Sequence, residues 1–384
     1  MMNPQDLLSF LFWFSLAALA YTFFGYPLWI AFLARAFPKA VDLGNQKTSP
    51  RISIILAAYN EEARITTRLR NLLESDYPGD SMEIIIVSDG STDHTAEIAR
   101  SLSDGRIRVI ERPRTGKAAC LNDGVAAAKG DIIVFGDVRQ RFAPDTIRKL
   151  VAWFSHPEVG AVSGALMIEK SGSSVGGGVD AYWRLEKFIR HAEAKYDSSV
   201  GCTGAVYAIR RNVYRHLPAD TLLDDVVIPM DIAAQGYRVL FDPSAVAFDP
   251  QSLEPEREKV RKQRTLAGNY QMLFRYPQWL LPWRHRLWWQ LLSHKYLRLA
   301  APGFMVLLLL SNALLAGSRF YGLLFGAQCL FYFCALVGAF CASARLAVFS
   351  IPAGFVFLNL MSVSGFRHYL AGSYRQGRWP AARS

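Results

Sequence analysis

The sequence predicts an α/β domain on a mainly parallel sheet, flanked by membrane-spanning helices. Three observations carry this reading. Between Arg51 and Glu169, short apolar runs alternate with amphipathic stretches. Uncharged or nearly uncharged segments long enough to cross a bilayer stand before and after that region. The 384 residues are 51% hydrophobic, high for a soluble enzyme and low for a chain wholly inside the membrane.

The first segment, Leu7–Leu33, carries no charge. Asp6 precedes it, no Lys or Arg does, and the apolar run continues past any plausible cleavage point. It therefore reads as an uncleaved anchor rather than a signal peptide. Arg35 and Lys39 follow, so the positive-inside rule puts the next segment in the cytoplasm.

That segment begins with a strand, Ile52–Ala57. A helix follows over Glu61–Ser75, with Ile65, Leu69, Leu72 and Leu73 on one face. Ile84–Val87 is the next strand, and Ser91-Thr92-Asp93 caps a helix through Leu102. Strand Ile107–Ile110, helix Lys117–Ala128 (stopped by Gly130), strand Ile132–Phe135 and helix Pro144–Phe154 complete the series. Such alternation builds a mainly parallel sheet with helices on both faces. Ligands of these sheets bind beyond the carboxyl ends of the strands. Three predicted tips carry polar groups there: Tyr59-Asn60-Glu61, Ser88-Asp89-Gly90 and Gly136-Asp137. Turn chemistry selects the same residue types, so both readings stand at this point.

Four of the nine tryptophans (279, 283, 288, 289) fall beside Arg284 and Arg286. Rings next to cations suit the headgroup region, which predicts helices lying on the cytoplasmic surface; a buried helix of the soluble domain is the other reading. Two spans follow, Leu299–Gly317 and Phe320–Ala342. Leu346–Leu370 contains Pro352, Asn359, Ser362, Ser364 and Gly365, and reads either as a span facing other helices or as a re-entrant segment. The basic tail (Arg375, Arg378, Arg383) prefers the cytoplasm, whereas four full spans from an outside N-terminus would place it outside. The domain boundaries expected are an anchor over 1–40, a cytoplasmic domain over 48–272, interfacial helices over 273–298, and a membrane region with a basic tail over 299–384.

The formal net charge of +11 is compatible with anionic lipid or phosphorylated substrates. No zinc finger, basic zipper or aromatic-and-glycine RNA-binding signature is present, which argues against nucleic acid as a partner. Five scattered cysteines without a CxxC pair indicate neither a disulfide framework nor a zinc site. No Walker loop or GxGxxG occurs, against an ATPase or a dinucleotide oxidoreductase. Ser173–Gly178 is glycine-rich without a strand-then-helix context and reads as a loop.

Five motifs then occur in order: Ser53-Ile-Ile-Leu-Ala-Ala-Tyr-Asn-Glu-Glu62, Ile86-Val-Ser-Asp-Gly-Ser-Thr-Asp93, Gly116-Lys-Ala-Ala-Cys-Leu-Asn-Asp-Gly124, Thr203-Gly-Ala205 and Leu223-Asp-Asp225. Together they resemble the motif set of family 2 glycosyltransferases, in the membrane-embedded branch that includes synthases of poly-N-acetylglucosamine, hyaluronan, chitin and cellulose. The likeness covers roughly residues 50–270 and, in layout, the flanking spans. It implies a GT-A-like, Rossmann-type domain on the cytoplasmic face of the plasma (inner) membrane. It also implies transfer of a sugar, with inversion, from a nucleoside-diphosphate sugar such as a UDP-sugar.

By this resemblance Ala58, Tyr59, Glu61 and Asp89 hold the nucleoside. Lys117, at the start of a helix, contacts donor phosphate, as an ammonium beside a helix N-terminus can. Asp225 matches the catalytic base, and Thr203, Gly204 and Asp224 line the substrate site. Adjacent acids repel, which raises one of their pKa values toward a working range. Arg264 matches the arginine of the QxxRW motif of processive members. Thr265 replaces its tryptophan and Arg261 its glutamine. In Gly136-Asp-Val-Arg, Asp137 matches the first acid of the family's Asp-x-Asp, whose second acid holds a donor-bound Mg²⁺ or Mn²⁺. Arg139 stands where that second acid belongs, and a guanidinium cannot ligate a metal. Three readings follow: Arg139 binds diphosphate itself, Asp137 ligates the metal alone, or Arg139 is a surface residue. The partners implied are the nucleotide sugar, a polysaccharide or lipid-linked acceptor, membrane lipids and export components. Three functions compete: polysaccharide extension, single transfer to a membrane lipid, and non-catalytic nucleotide-sugar binding within a polysaccharide assembly.

Overall fold

The computed structural model describes residues 3–41, 49–169, 177–250, 255–340 and 346–372. Most of the glycine-rich stretch 173–178 and the basic tail with Arg375, Arg378 and Arg383 lie outside the described residues.

The predicted strands form, each slightly longer than its apolar run: β1 (Ile52–Ala58), β2 (Met82–Asp89), β3 (Ile107–Arg112) and β4 (Ile132–Gly136). They pair in parallel in the order β3-β2-β1-β4. The sheet continues with β5 (Arg141–Phe142), β6 (Val159–Glu169), β7 (Val206–Arg210) and β8 (Arg238–Pro250), giving β3-β2-β1-β4-β7-β6-β8-β5. The expected parallel pairing holds over β1–β4, and the later strands make the sheet mixed. β7 runs antiparallel to both β4 and β6, β6 pairs in parallel with β8, and β5 is antiparallel to β8. The sheet is mixed, and its parallel half carries the three polar tips.

Alternate residues of each strand face opposite cores, as the period of two requires. Ile54, Ile84, Ile86 and Val134 pack on Ile65, Leu69 and Leu72 of α3 (Glu62–Leu73). Ala99 of α4 (Thr95–Ser101) and Ile147 and Leu150 of α6 (Thr146–Ala152) join the same core. Ile55, Ile85, Ile133 and Phe135 face Leu121 and Val125 of α5 (Lys117–Ala127), and Val226, Val227 and Met230 of α8 (Asp224–Ala234). Asp93, within the expected capping stretch, accepts from the Thr95 amide on Oδ1 at 3.1 Å, and α4 starts two residues beyond the acid.

Gly130 marks how closely the α5–β4 connection passes under β1. A Cβ there would lie 2.5 Å from the Ile52 carbonyl carbon and 2.5 Å from the Ser53 nitrogen. Both are backbone atoms and cannot rotate away. Gly130→Ala is therefore expected to destabilise the domain by roughly 1–3 kcal/mol, the usual cost of overpacking, measured as a lowered thermal midpoint.

Among the described residues, four helices are long and apolar enough to cross a membrane: Pro4–Ala36, Trp288–Leu315, Arg319–Phe340 and Ala347–Leu370. The first comprises α1 (Pro4–Ala20), a π-helical turn over Tyr21–Gly25 and α2 (Tyr26–Ala36). Pro27 lacks an N–H and crowds the preceding turn, and the wider turn just ahead of it relieves that clash. α7 (Gly177–Tyr196) packs against α2.

The second span starts earlier than Leu299. It joins α10 (Trp288–Leu291), a second π-helical turn (Leu292–Tyr296) and α11 (Leu297–Leu315). α12 (Arg319–Phe340) and α13 (Ala347–Leu370) follow. α13 is one unbroken helix whose Ser362, Ser364 and Gly365 face α9 (Pro255–Arg275). Ser362 Oγ lies 3.2 Å from the Tyr270 hydroxyl, Gln263 donates to Ser364 Oγ at 2.7 Å, and a Cβ on Gly365 would lie 2.5 Å from Leu266 Cβ. Of its two readings, the helix facing other helices is the one that folds.

The tryptophan segment needs a partial correction. Trp279 is buried, stacked on Tyr276 at 4.2 Å and packed in the core beside α8, and Leu287 and Leu291 are buried with it. Trp288 and Trp289 are half-buried and Trp283 is exposed. Aromatic–cation composition suits a headgroup surface and a domain core equally, and only the long-range contact decides between them.

Candidate active site

β4 ends at Gly136 and hands Asp137 to the carboxyl edge of the sheet. α5 begins with Lys117 and points its side chain across that edge. Lys117 Nζ lies 3.0 Å from Asp137 Oδ1 and 3.4 Å from Asp224 Oδ2. Asp224 and Asp225 form the first turn of α8, where negative charge is favoured by the helix dipole. Segments far apart in sequence thus bring one ammonium and three acids together. Arg264 of α9 adds a second cation, its charge felt by Asp224, Asp137 and Asp225. Arg190 of α7 adds a third, acting on Asp225.

This arrangement separates the acids. Burial first, and then Asp224, push the Asp225 carboxyl up to about 6, against the opposing pull of Lys117, Arg190 and Lys295. A carboxylate tuned this way is basic enough to take a proton near neutral pH. Burial pulls the Lys117 ammonium down, but Asp137, Asp224 and Asp225 outweigh it and hold Lys117 above the usual lysine range. The lysine is therefore a permanent cation.

Thr203 and Gly204 stand directly beside Asp225. A Cβ on Gly204 would lie 3.0 Å from Asp225 Oδ2, and the Cys202 amide donates to the Asp225 carbonyl at 2.7 Å. The Thr203 hydroxyl is engaged by Arg190 at 3.2 Å and by Ser163 at 3.2 Å.

The predicted nucleoside residues lie at the tips of β1 and β2. Ala58 is buried as the last residue of β1. The Arg114 guanidinium covers the Tyr59 ring at 3.3 Å from its centroid. Glu61 accepts from Arg64 at 3.0 Å. Asp89 is buried and accepts from the backbone amides of Thr115 at 2.7 Å and Gly116 at 3.0 Å. Its carboxylate therefore pins the loop that aims Lys117, a role that the nucleoside reading did not contain.

Arg139 is committed elsewhere. Its Nη2 pairs with the buried Asp249 of β8 at 2.5 Å, and Arg261 approaches the same oxygen at 3.6 Å. Of the three readings of Arg139, the structure adds a fourth, a guanidinium that compensates a buried acid across the sheet. Among the described residues, no three His, Cys, Asp or Glu side chains gather to hold a metal ion. Asp137 is the acid at this tip, and the Lys117 ammonium is already on it. That donor set does not fit a preformed Mg²⁺ or Mn²⁺ site.

One residue here went unread in the sequence. Arg68 of α3 is buried beneath the β4 tip, 4.0 Å over the Phe142 ring, and donates to Asn71 at 2.9 Å. Burial pulls its guanidinium down to about 9, against the pull of Asp137. A helix-face arginine looks solvated in sequence, and nothing local signals that Gly136 leaves room for it.

Polar groups gathered at the carboxyl edge of a mixed sheet of this order place the domain in the GT-A-like class. The model described as glycosyl transferase family 2 matches residues 53–217 of this chain. It is similar to a probable glycosyltransferase, YdaM, of Bacillus subtilis (28% identity, 60% of this chain and 58% of that protein). It also resembles the poly-β-1,6-N-acetyl-D-glucosamine synthase of Staphylococcus aureus (27% identity, 59% and 54%). The β-monoglucosyldiacylglycerol synthase of Synechocystis matches over a shorter stretch (31% identity, 36% and 32%). The chain thus spans between about a third and three-fifths of the length of these relatives. Among solved structures, the mannosyltransferase PcManGT from Pyrobaculum calidifontis, in complex with GDP-Man and Mn²⁺, shares the fold (TM-score 0.69, 24% identity, 94% of this chain and 99% of that one).

Proposed function

We propose that this chain is a multi-pass membrane glycosyltransferase of the plasma (inner) membrane. It transfers a sugar, with inversion, from a nucleoside-diphosphate sugar, preferentially a UDP-sugar, to a growing polysaccharide at the cytoplasmic face. The observation that carries this reading is the Lys117 bridge between Asp137 and Asp224, with Asp225 beside it. Asp225 takes the proton of the acceptor hydroxyl as the oxygen attacks the anomeric carbon. Lys117 and Arg264 neutralise the diphosphate as it leaves, which is the largest charge change of the reaction. Asp224 and the Thr203–Gly204 wall position the acceptor next to the base, and Ala58, Tyr59, Glu61 and Asp89 frame the nucleoside side.

A second reading is single transfer to a membrane lipid. Thr265 favours it. This residue is exposed on α9, its hydroxyl hydrogen-bonded to the Arg261 carbonyl at 3.0 Å, and it offers no aromatic platform for a sliding polymer. The named activity of the Synechocystis relative is of that kind.

Incubating the purified protein with a panel of nucleotide sugars, with polysaccharide and diacylglycerol acceptors, tests both readings. Release of nucleoside diphosphate with a long product is expected. A single added sugar moves the conclusion to the lipid acceptor. Absence of release with every donor removes the enzymatic reading and leaves nucleotide-sugar binding.

A further inference from the structure

α7 carries a buried polar cluster that sugar transfer, as described above, does not use. Glu186 is buried and accepts four donors. These are Arg190 Nε at 3.2 Å and Lys295 Nζ at 3.1 Å on one oxygen, and His294 Nε2 and Arg298 Nη1, each at 2.9 Å, on the other. The other ring nitrogen of His294 lies 2.9 Å from Glu193 Oε1, which also accepts the Tyr26 hydroxyl at 2.5 Å. His294 and Lys295 belong to the π-helical turn of the second span, and Tyr26 follows the π-helical turn of the first. Both departures from α-helical geometry thus meet at α7, and such turns are frequent at functional sites.

The cluster leads to the reacting acid through one residue. Arg190 is held by Glu186 on one side and grips the Thr203 hydroxyl at 3.2 Å on the other, and the next residue, Gly204, lies against Asp225. Asp225 is faced by Asp224 from α8, Lys117 from α5, Arg264 from α9 and Lys295 from the second span. Cys202 and Tyr207, both uncharged and buried, stand on the β7 side. Arg190 is the cation that α7 adds to this set, and its hydrogen bonds fix where its charge sits.

We infer that Glu186 and Arg190 form a positioning pair that keeps Asp225 ionised and anchors its neighbouring loop to the membrane helices. The inference rests on Asp225 being the base. A guanidinium beside a carboxylate favours the charged form, whereas Glu186 tempers that guanidinium and itself repels a second negative charge. The two members of the pair therefore act on Asp225 with opposite sign. A purely structural role would make their losses alike.

The test is a pH titration of the purified protein in detergent, following the infrared carboxyl band that vanishes in Asp225→Asn. Arg190→Met is expected to raise the midpoint by about 1 pH unit or more. Glu186→Gln is expected to lower it, and Arg190→Lys to stay close to wild type. Opposite shifts support the pair. Unmoved midpoints, or shifts of the same sign, overturn it. If Glu186→Gln fails to give a monodisperse protein, the contrast of Arg190→Met with Arg190→Lys decides alone, and equal midpoints in those two overturn the inference. The band needs no substrate, so it is independent of the base assignment: normal turnover in Asp225→Asn would end that assignment while the midpoints still judge the pair.

Discussion

Asp225→Asn is expected to slow sugar transfer by about 10²–10⁴-fold and, at pH 7, to raise the melting temperature. The first effect follows from removing a general base while keeping its shape. The second follows from what the protein spends to hold that base. The Asp225 carboxyl is raised to about 6, chiefly by burial and then by Asp224. An unperturbed aspartate in the unfolded chain ionises near 3.9, at about the value typical of model peptides. The folded state therefore binds this proton more tightly, and wild-type stability falls as pH rises from about 4 through about 6. Asparagine never ionises, so the variant should melt above wild type at pH 7, and the two should converge below about pH 4. Wild-type kcat/KM should drop on the acid side with a midpoint near 6, where the base becomes protonated. Thermal melts and initial rates over pH 4–8 check all three. Near-normal turnover in Asp225→Asn would transfer the role to Asp224, and an unchanged melting temperature would mean the carboxylate is not held at a cost.

The parts of this site legible in the sequence are those where one short segment carries both a strand end and its polar tip. Ile132–Gly136 followed by Asp137 is such a segment, and so is Leu223 followed by two acids. Apolar runs ending in turn residues are written locally, so the parallel half of the sheet could be read strand by strand. The other half could not. β8 runs thirteen residues through Asp242, Pro243 and Ser244, and its pairing with β6 is broken by irregular register, so no regular alternation announces it. The positioning groups were equally hidden. Arg68, Arg190 and His294 sit on helices whose spacing marks them only as polar, and their burial is set by partners such as Asp137, Thr203 and Glu193 at long range. Arg139 shows the reverse case. It is legible as an anomaly in a motif, yet its partner Asp249 lies 110 residues away, so the sequence leaves three roles open and none of them contains this ion pair.

Lys117→Met is expected to cost both stability and donor affinity, the opposite of Asp225→Asn on the first count and distinct from it on the second. The ammonium lies 3.0 Å from Asp137 and 3.4 Å from Asp224, with little solvent around the lysine or Asp224. Removing one partner of a buried pair strands the other charge, which costs about 3–5 kcal/mol when both are fully buried. Asp137 keeps 35% of its side chain in solvent, so water screens part of that loss and the low end, about 3 kcal/mol, is the expectation. The Asp225 carboxyl also loses one of the charges opposing its upward shift, so the acid limb of the rate profile should move to higher pH. Nucleoside diphosphate should bind more weakly, since the phosphates lose a cation fixed at the start of α5. Titration calorimetry with UDP and GDP, together with thermal unfolding, measures both losses. Lys117→Arg keeps the charge but spreads it over a larger, planar group, so it should recover most of the stability and only part of the affinity. If Lys117→Met unfolded early yet bound UDP and GDP as wild type does, the lysine would serve the acids alone. Diphosphate neutralisation would then fall to Arg264, which shares the same three carboxylates from α9.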